Sequence, residues 1–358
     1  MNAAETNPPS NILKAGVKEE DIQDAVAASG YPLQTVAARI FRKYCEVQEE
    51  WSFFDPEERV LRSTDLIAER RLYQFQEPHP RVRPTLNLLV ECKRSELPYV
   101  FFLADQGVSA PMFPFVAGLR ASEIHITSDD DPSTWVYQAL YVLGLEKLPF
   151  LQSAIACATT FSRCERQGPK LRLSGSEPYN SLVQPLIKAV EHFGVVETPP
   201  KTAMYFDMHF VIPLAVLDAP MIGARIEGAA STLQLLPWVR IPRHHGLNLT
   251  GHEHRRNVFA IDVVHIDFLE TYIRDHLMPF ADEVGKRALK HDVELAEGQG
   301  FASGMGKHWH EEIESRLVPR KLRDAAKRVS AAVGAIRKRS SQRGKGRPVK
   351  GKTGDRSD

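Results

Sequence analysis

The chain has 358 residues, a formal net charge of +1, and 43% hydrophobic and 25% charged content, which excludes a wholly disordered chain and suits one large or two modest globular domains. No run approaches the roughly 18 uninterrupted apolar residues of a membrane span, and the polar, proline-bearing start does not read as a secretory signal, so a cytoplasmic protein with no membrane partner is expected. The near-neutral total hides an asymmetry: residues 316–358 hold 15 Lys and Arg against 3 Asp and Glu, leaving the remainder acidic.

In chain order, residues 1–15 are expected to be disordered and 17–28 to form a short helix with an acidic start, broken at Ser29-Gly30-Tyr31-Pro32. Leu33, Val36, Ala37, Ile40, Phe41 and Tyr44 recur at helical spacing, and Pro32 occupies a first-turn position that tolerates a missing N–H. Residues 46–54 and 60–72 are β-like around the turn Asp55-Pro56-Glu57-Glu58, which predicts a hairpin. Three prolines make 78–84 a loop, 86–93 is a third strand, and 98–103 continues extended. The region 104–170 reads poorly: 124–126 resembles a strand, 134–145 a helix, and 153–163 fits either. A helix over 181–193 with Pro185 near its start precedes a strand at 208–217, whose almost continuous apolar run marks burial on both faces. A strand at 259–266 leads to a helix with Asp267 as its N-cap. The glycine-rich 300–306 reads as a hinge, and 311–336 as an increasingly basic helix interrupted by Pro319. Cys45, Cys92, Cys157 and Cys164 show no CxxC or zinc spacing and are expected to be reduced.

The chemistry concentrates at Glu91-Cys92-Lys93, which closes the apolar run at 86–90. Alternation along a strand puts Glu91 and Lys93 on one face and turns Cys92 into the opposite layer. Asp65 lies in the strand-like stretch at 61–68, and neighbouring strands would set it against Glu91 as a hard, oxygen-rich cation site suited to phosphodiester hydrolysis. A plain surface ion network at a sheet edge is the competing reading of the same three residues.

The order helix, three strands, helix, strand, with Asp on the second strand and Glu-x-Lys on the third, resembles the PD-(D/E)XK restriction-endonuclease-like superfamily. Ser29-Gly30-Tyr31-Pro32-Leu33, Phe54-Asp55, Arg62-Ser63-Thr64-Asp65, Glu91-Cys92-Lys93 and Pro98-Tyr99-Val100-Phe101-Phe102 look like an uncharacterised bacterial group within it, over residues 29–103 and, in outline, 180–270. The resemblance implies an α/β (mixed) fold with a central mixed sheet flanked by helices over 16–285, including the elaboration at 104–170. A helical extension at 286–336 and a basic disordered tail at 337–358 would follow. It also implies a DNA endonuclease or nickase, with a role in restriction or defence against foreign DNA, in which Asp65, Glu91 and Lys93 are catalytic. Mg²⁺, or Mn²⁺ in its place, would be held by Asp65, Glu91 and the Cys92 carbonyl, and Lys93 would position or activate the attacking water. Lys93 would be a base only if its pKa were lowered. Similar proteins often carry Glu on the first helix after the Pro-Leu pair; Gln34 stands here, as a weaker ligand, and favours the alternative of a catalytically weakened module that binds nucleic acid or a protein partner. DNA contacts are expected from Lys188 and from Arg337, Lys338, Arg339, Arg343, Lys345 and Arg347 of the tail, with a homodimer as the arrangement that cuts two strands.

His244, His245, His252 and His254, among Arg240, Arg243, Arg255 and Arg256, are a second candidate for a metal or a phosphate, or a plain surface loop. His308-Trp309-His310-Glu311-Glu312 is not HExxH, and no GxxxxGK[ST] phosphate loop occurs.

Overall fold

The turn at 56–59 folds β1 (Glu46–Asp55) back on β2 (Val60–Arg71), antiparallel, with Asp55 opposite Val60 and Glu46 opposite Glu69. β2 pairs in the same sense with β3 (Val82–Arg94). Pro84 already lies in β3, just before its ladder with β2 begins at Thr85, where its missing N–H is tolerated and its carbonyl accepts the Leu72 N–H. The computed structural model describes residues 8–324 except 76, 106–112, 153–155, 229, 245–257, 308–311 and 321. The tail residues Arg337, Lys338, Arg339, Arg343, Lys345 and Arg347 therefore lie outside the described residues, as do His245, His252 and His254.

The described chain is a mixed α/β protein. Its main sheet runs β1-β2-β3-β10-β14-β13, where β10 is Phe206–Asp218, β13 Trp238–His244 and β14 Val258–His265; β10 is parallel to β3 and β14. The short β5 (Phe115–Ala117) pairs with the first part of β10. A second sheet has the order β12-β11-β4-β8-β9, built from Ala230–Leu235, Met221–Glu227, Tyr99–Leu103, Ala158–Gln167 and Lys170–Ser174. A third joins β15 (Gln299–Phe301), β6 (Glu123–Thr127) and β7 (Trp135–Gln138).

The period of two along β3 assigns its side chains to two cores. Leu86, Leu88, Val90 and Cys92 pack with Ala37 and Phe41 of α2 (Tyr31–Phe41) and with Phe280 and Val284 of the long helix at Met278–Lys290. Leu89, on the other face, packs with Leu186, Val190 and Phe193 of the helix Gln184–Val196 and with Tyr99, Phe101 and Phe161 of the second sheet. The main sheet, this helix and the second sheet all contribute to this second core. β10 is buried on both faces, which accounts for its apolar run.

Several expectations change. Segment 98–103 is extended as expected, and as β4 it belongs to the second sheet, beside β8 and β11. A third of 134–145 is β7, followed by a four-residue helix at Ala139–Val142. The expected hinge begins with β15, which pairs parallel with β6; the stretch from 311 is helical at Ile313–Arg316, breaks as Leu317 bridges to Ala302, and is helical again at 320 and 322–324, while 325–336 lie outside the described residues. Within 286–324, the end of the helix at Met278–Lys290 and a helix at Asp292–Glu297 precede β15, which joins the third sheet. The turn at Ile266–Phe268 is capped by His265, whose Nδ1 accepts the Asp267 N–H at 3.2 Å, not by Asp267. The pairings of β4 and β15 join segments distant in sequence, which local periodicity does not encode. Residues 8–15 contain no helix or strand, and α1 spans Glu19–Ala28. No helix among the described residues is long and apolar enough to cross a membrane.

Candidate functional site

The printed β2–β3 register stops at Leu66 opposite Val90. One residue further on each strand stand Asp65 and Glu91, so both leave the sheet on the face that carries Ile67 and Leu89. Beyond the ladder the Cys92 N–H donates to Asp65 Oδ2 at 2.7 Å, a charge-assisted bond. Cys92 therefore meets the site through its backbone, and its buried thiol faces the other core. Lys93 Nζ donates to Glu91 Oε2 at 3.1 Å.

Glu91 is only 3% exposed, and its second oxygen, Oε1, is buried without a hydrogen-bond partner. Burial pushes its pKa up to about 7; Lys93 opposes the rise, while the charges of Asp65 and Glu50 reinforce it. Burial also raises Asp65, against the pull of the Cys92 N–H and Lys93. For Lys93, burial works against the ammonium, but Glu91 and Asp65 outweigh it and hold the pKa above the ordinary lysine value. Its two acidic neighbours therefore favour the charged form of Lys93.

The site contains an acid that sequence reasoning missed. Glu50, in β1, lies between the paired residues Glu49 and Trp51, whose partners Leu66 and Thr64 flank Asp65. Its φ is 55°, a left-handed conformation costing about 1–3 kcal/mol for a residue with a side chain. The signal was the hairpin itself: once Asp55 is set opposite Val60, counting back along both strands places Glu50 across from Asp65. Gln34 holds this arrangement together, its Nε2 donating to Glu50 Oε1 and to the Asp65 carbonyl, each at 3.0 Å. It meets the acids as a donor, through Nε2.

Among the described residues, no three His, Cys, Asp or Glu side chains are already gathered closely enough to hold a metal ion. The chemistry of the donors nonetheless suits a hard divalent cation: three carboxylates face one ammonium, and a buried carboxylate oxygen has no donor. Asp65 and Glu91 would hold such an ion, with the Cys92 carbonyl and Glu50 beside them.

Other expected contacts fall elsewhere. Lys188 pairs with Glu57 and lies 3.5 Å from Glu191, so it is engaged within the protein rather than presented to DNA. Asp55 accepts the N–H groups of Glu57 and Glu58 and the Arg62 Nε–H at 2.8 Å, which makes it a turn-forming residue. All four cysteines are free thiols. Comparison with protein-family models, with curated proteins and with solved structures finds no match for this chain.

Proposed function

We propose that the protein is a Mg²⁺-dependent DNA endonuclease of the PD-(D/E)XK, restriction-endonuclease-like type, with Mn²⁺ able to replace Mg²⁺. The reading is carried by one observation: Asp65, Glu91 and Lys93 share a face just beyond the β2–β3 ladder, where Glu91 keeps a buried, unpartnered oxygen. The element order of α2, the β1–β2 hairpin, β3, the helix at Gln184–Val196 and β10 supports it.

When bound, the ion would polarise the phosphate and acidify the attacking water. The chain's own residues do the rest. Asp65 and Glu91 fix the position of the positive charge. Lys93, held beside Glu91, stabilises the negative charge that develops on the phosphate oxygens as water attacks phosphorus and gives its proton to solvent, while the bond to the leaving oxygen breaks and that oxygen takes a proton from solvent. Gln34 orients Glu50 and the β2 backbone behind them. Glu50 weighs against the alternative of a weakened binding module, because it supplies an acid beside Asp65 that position 34 lacks. A role in restriction or defence follows only from the resemblance.

The test is incubation of supercoiled plasmid with purified protein and Mg²⁺ or Mn²⁺. Wild type is expected to nick or linearise it, while Asp65→Ala and Lys93→Ala leave it intact. Cleavage that persists in both variants overturns the assignment.

A further inference from the structure

Glu91 and Lys93 face the second sheet, and that sheet presents an arginine to them. Tyr99 of β4 is opposite Arg163 of β8, and Phe101 is opposite Phe161, so all four side chains share the face that builds the core between the sheets. Burial raises the pKa of the Tyr99 hydroxyl, with Glu177 adding to the rise and Arg163, its cross-strand partner, and Lys93 opposing it. Arg163 Nη1 is 3.1 Å from Glu177 Oε1, yet Arg163 Nε and Glu177 Oε2 are both buried without a partner. The buried Arg240 differs: it spends Nε, Nη1 and Nη2 on protein acceptors. The Arg163 side chain is also 30% exposed although its Nε is buried, so an incoming anion reaches the exposed part of the guanidinium and meets Nε as Glu177 withdraws.

We propose that Arg163 grips a phosphate of the nucleic-acid backbone beside the Asp65–Glu91–Lys93 site, leaving Glu177 to do so and steadied by the Tyr99 hydroxyl; this rests on the nuclease reading above. A planar guanidinium with free donors matches phosphate geometry, and a phosphate replaces the Glu177 carboxylate by a partner of the same sign. Glu177 then acts as an internal competitor that keeps Arg163 paired until substrate arrives. Arg163 is a positioning residue for substrate and takes no part in bond breaking.

The test uses full-length protein and a fluorescein-labelled 20-mer, as duplex and as single strand, titrated in EDTA at several salt concentrations. Arg163→Gln is expected to weaken binding about tenfold and to lower the slope of log affinity against log salt by about one. Arg163→Lys should keep the slope with a smaller loss, and Glu177→Gln should tighten binding by removing the competitor. With Mg²⁺, Arg163→Gln should raise KM and leave kcat within about threefold of wild type. If wild type binds and cleaves but Arg163→Gln shows unchanged affinity and slope, or Glu177→Gln gains nothing while its melting temperature falls, the pair is structural and this inference alone is overturned. If wild type neither binds nor cleaves, the nuclease reading is overturned and this inference with it.

Discussion

Two charge clusters in this molecule, one buried and one that opens to solvent around a buried Glu91, are built on opposite plans. At the β13–β14 pair, Arg240 donates from Nε and Nη2 to the two oxygens of Asp262 at 2.6 and 2.8 Å, and from Nη1 to the Phe150 carbonyl at 2.9 Å. Tyr272 donates its hydroxyl to Asp262 at 2.8 Å, and the guanidinium lies 4.3 and 4.7 Å from the ring centres of Phe113 and Phe150. One cation meets one anion there, and the desolvation of both is offset by bonds and ring faces. At the end of the β2–β3 ladder, by contrast, Asp65, Glu91 and Glu50 share a single ammonium, and Glu91 keeps an oxygen with no donor. The first cluster is complete without a ligand. The second is short of positive charge, which is the condition that recruits a cation.

The contrast can be broken at either end, and the largest effect belongs to the chemistry. Asp65→Ala or Lys93→Ala should lower the cleavage rate by about 100-fold or more, read from plasmid nicking with circular dichroism unchanged. The satisfied cluster should answer in stability instead: Asp262→Ala leaves Arg240 buried and unpaired and should cost about 3–5 kcal/mol in urea unfolding, with Glu91 chemistry affected only through loss of fold.

Replacing the unsatisfied acid should have the opposite sign. Glu91→Gln keeps the shape and removes the charge, so in EDTA at pH 8 it should stabilise the protein by about 1–3 kcal/mol while abolishing cleavage. The pKa of Glu91 is higher folded, about 7, than the ordinary 4.5, so the folded state holds its proton more tightly. This contribution is complete below about 4.5 and is lost as pH rises through about 7. Wild-type stability in EDTA should therefore decline across that window more steeply than that of Glu91→Gln, and Mg²⁺ at pH 8 should raise the melting temperature of wild type but not of the variant. The smallest effect is expected at position 34. Gln34→Glu loses two donated bonds and adds a carboxylate beside Glu50, so it should cost about 1–2 kcal/mol in EDTA, a difference that narrows in Mg²⁺. Equal stabilities in EDTA would show that the Gln34 bonds do not hold the acids.

The period of two along β3 was enough to place Glu91 and Lys93 together and to send Cys92 to the other core, because pleating is a local property of an extended chain. Helical spacing likewise found α2, and the apolar run at 208–217 found a strand buried on both faces. Tertiary structure alone decided what surrounds them. Glu50 joins the site through hairpin register, Gln34 points its amide donors at the acids, Arg163 arrives from a strand 70 residues beyond Lys93 by about that count along the chain, and Lys188 is drawn into a pair with Glu57. Segment 98–103 was legible as a strand, but not as a member of the second sheet, and β15 was hidden among glycines. The physical reason is common to all of these: periodicity reports which way a side chain faces relative to its neighbours in sequence, whereas charge balance and burial depend on which distant strand lies alongside.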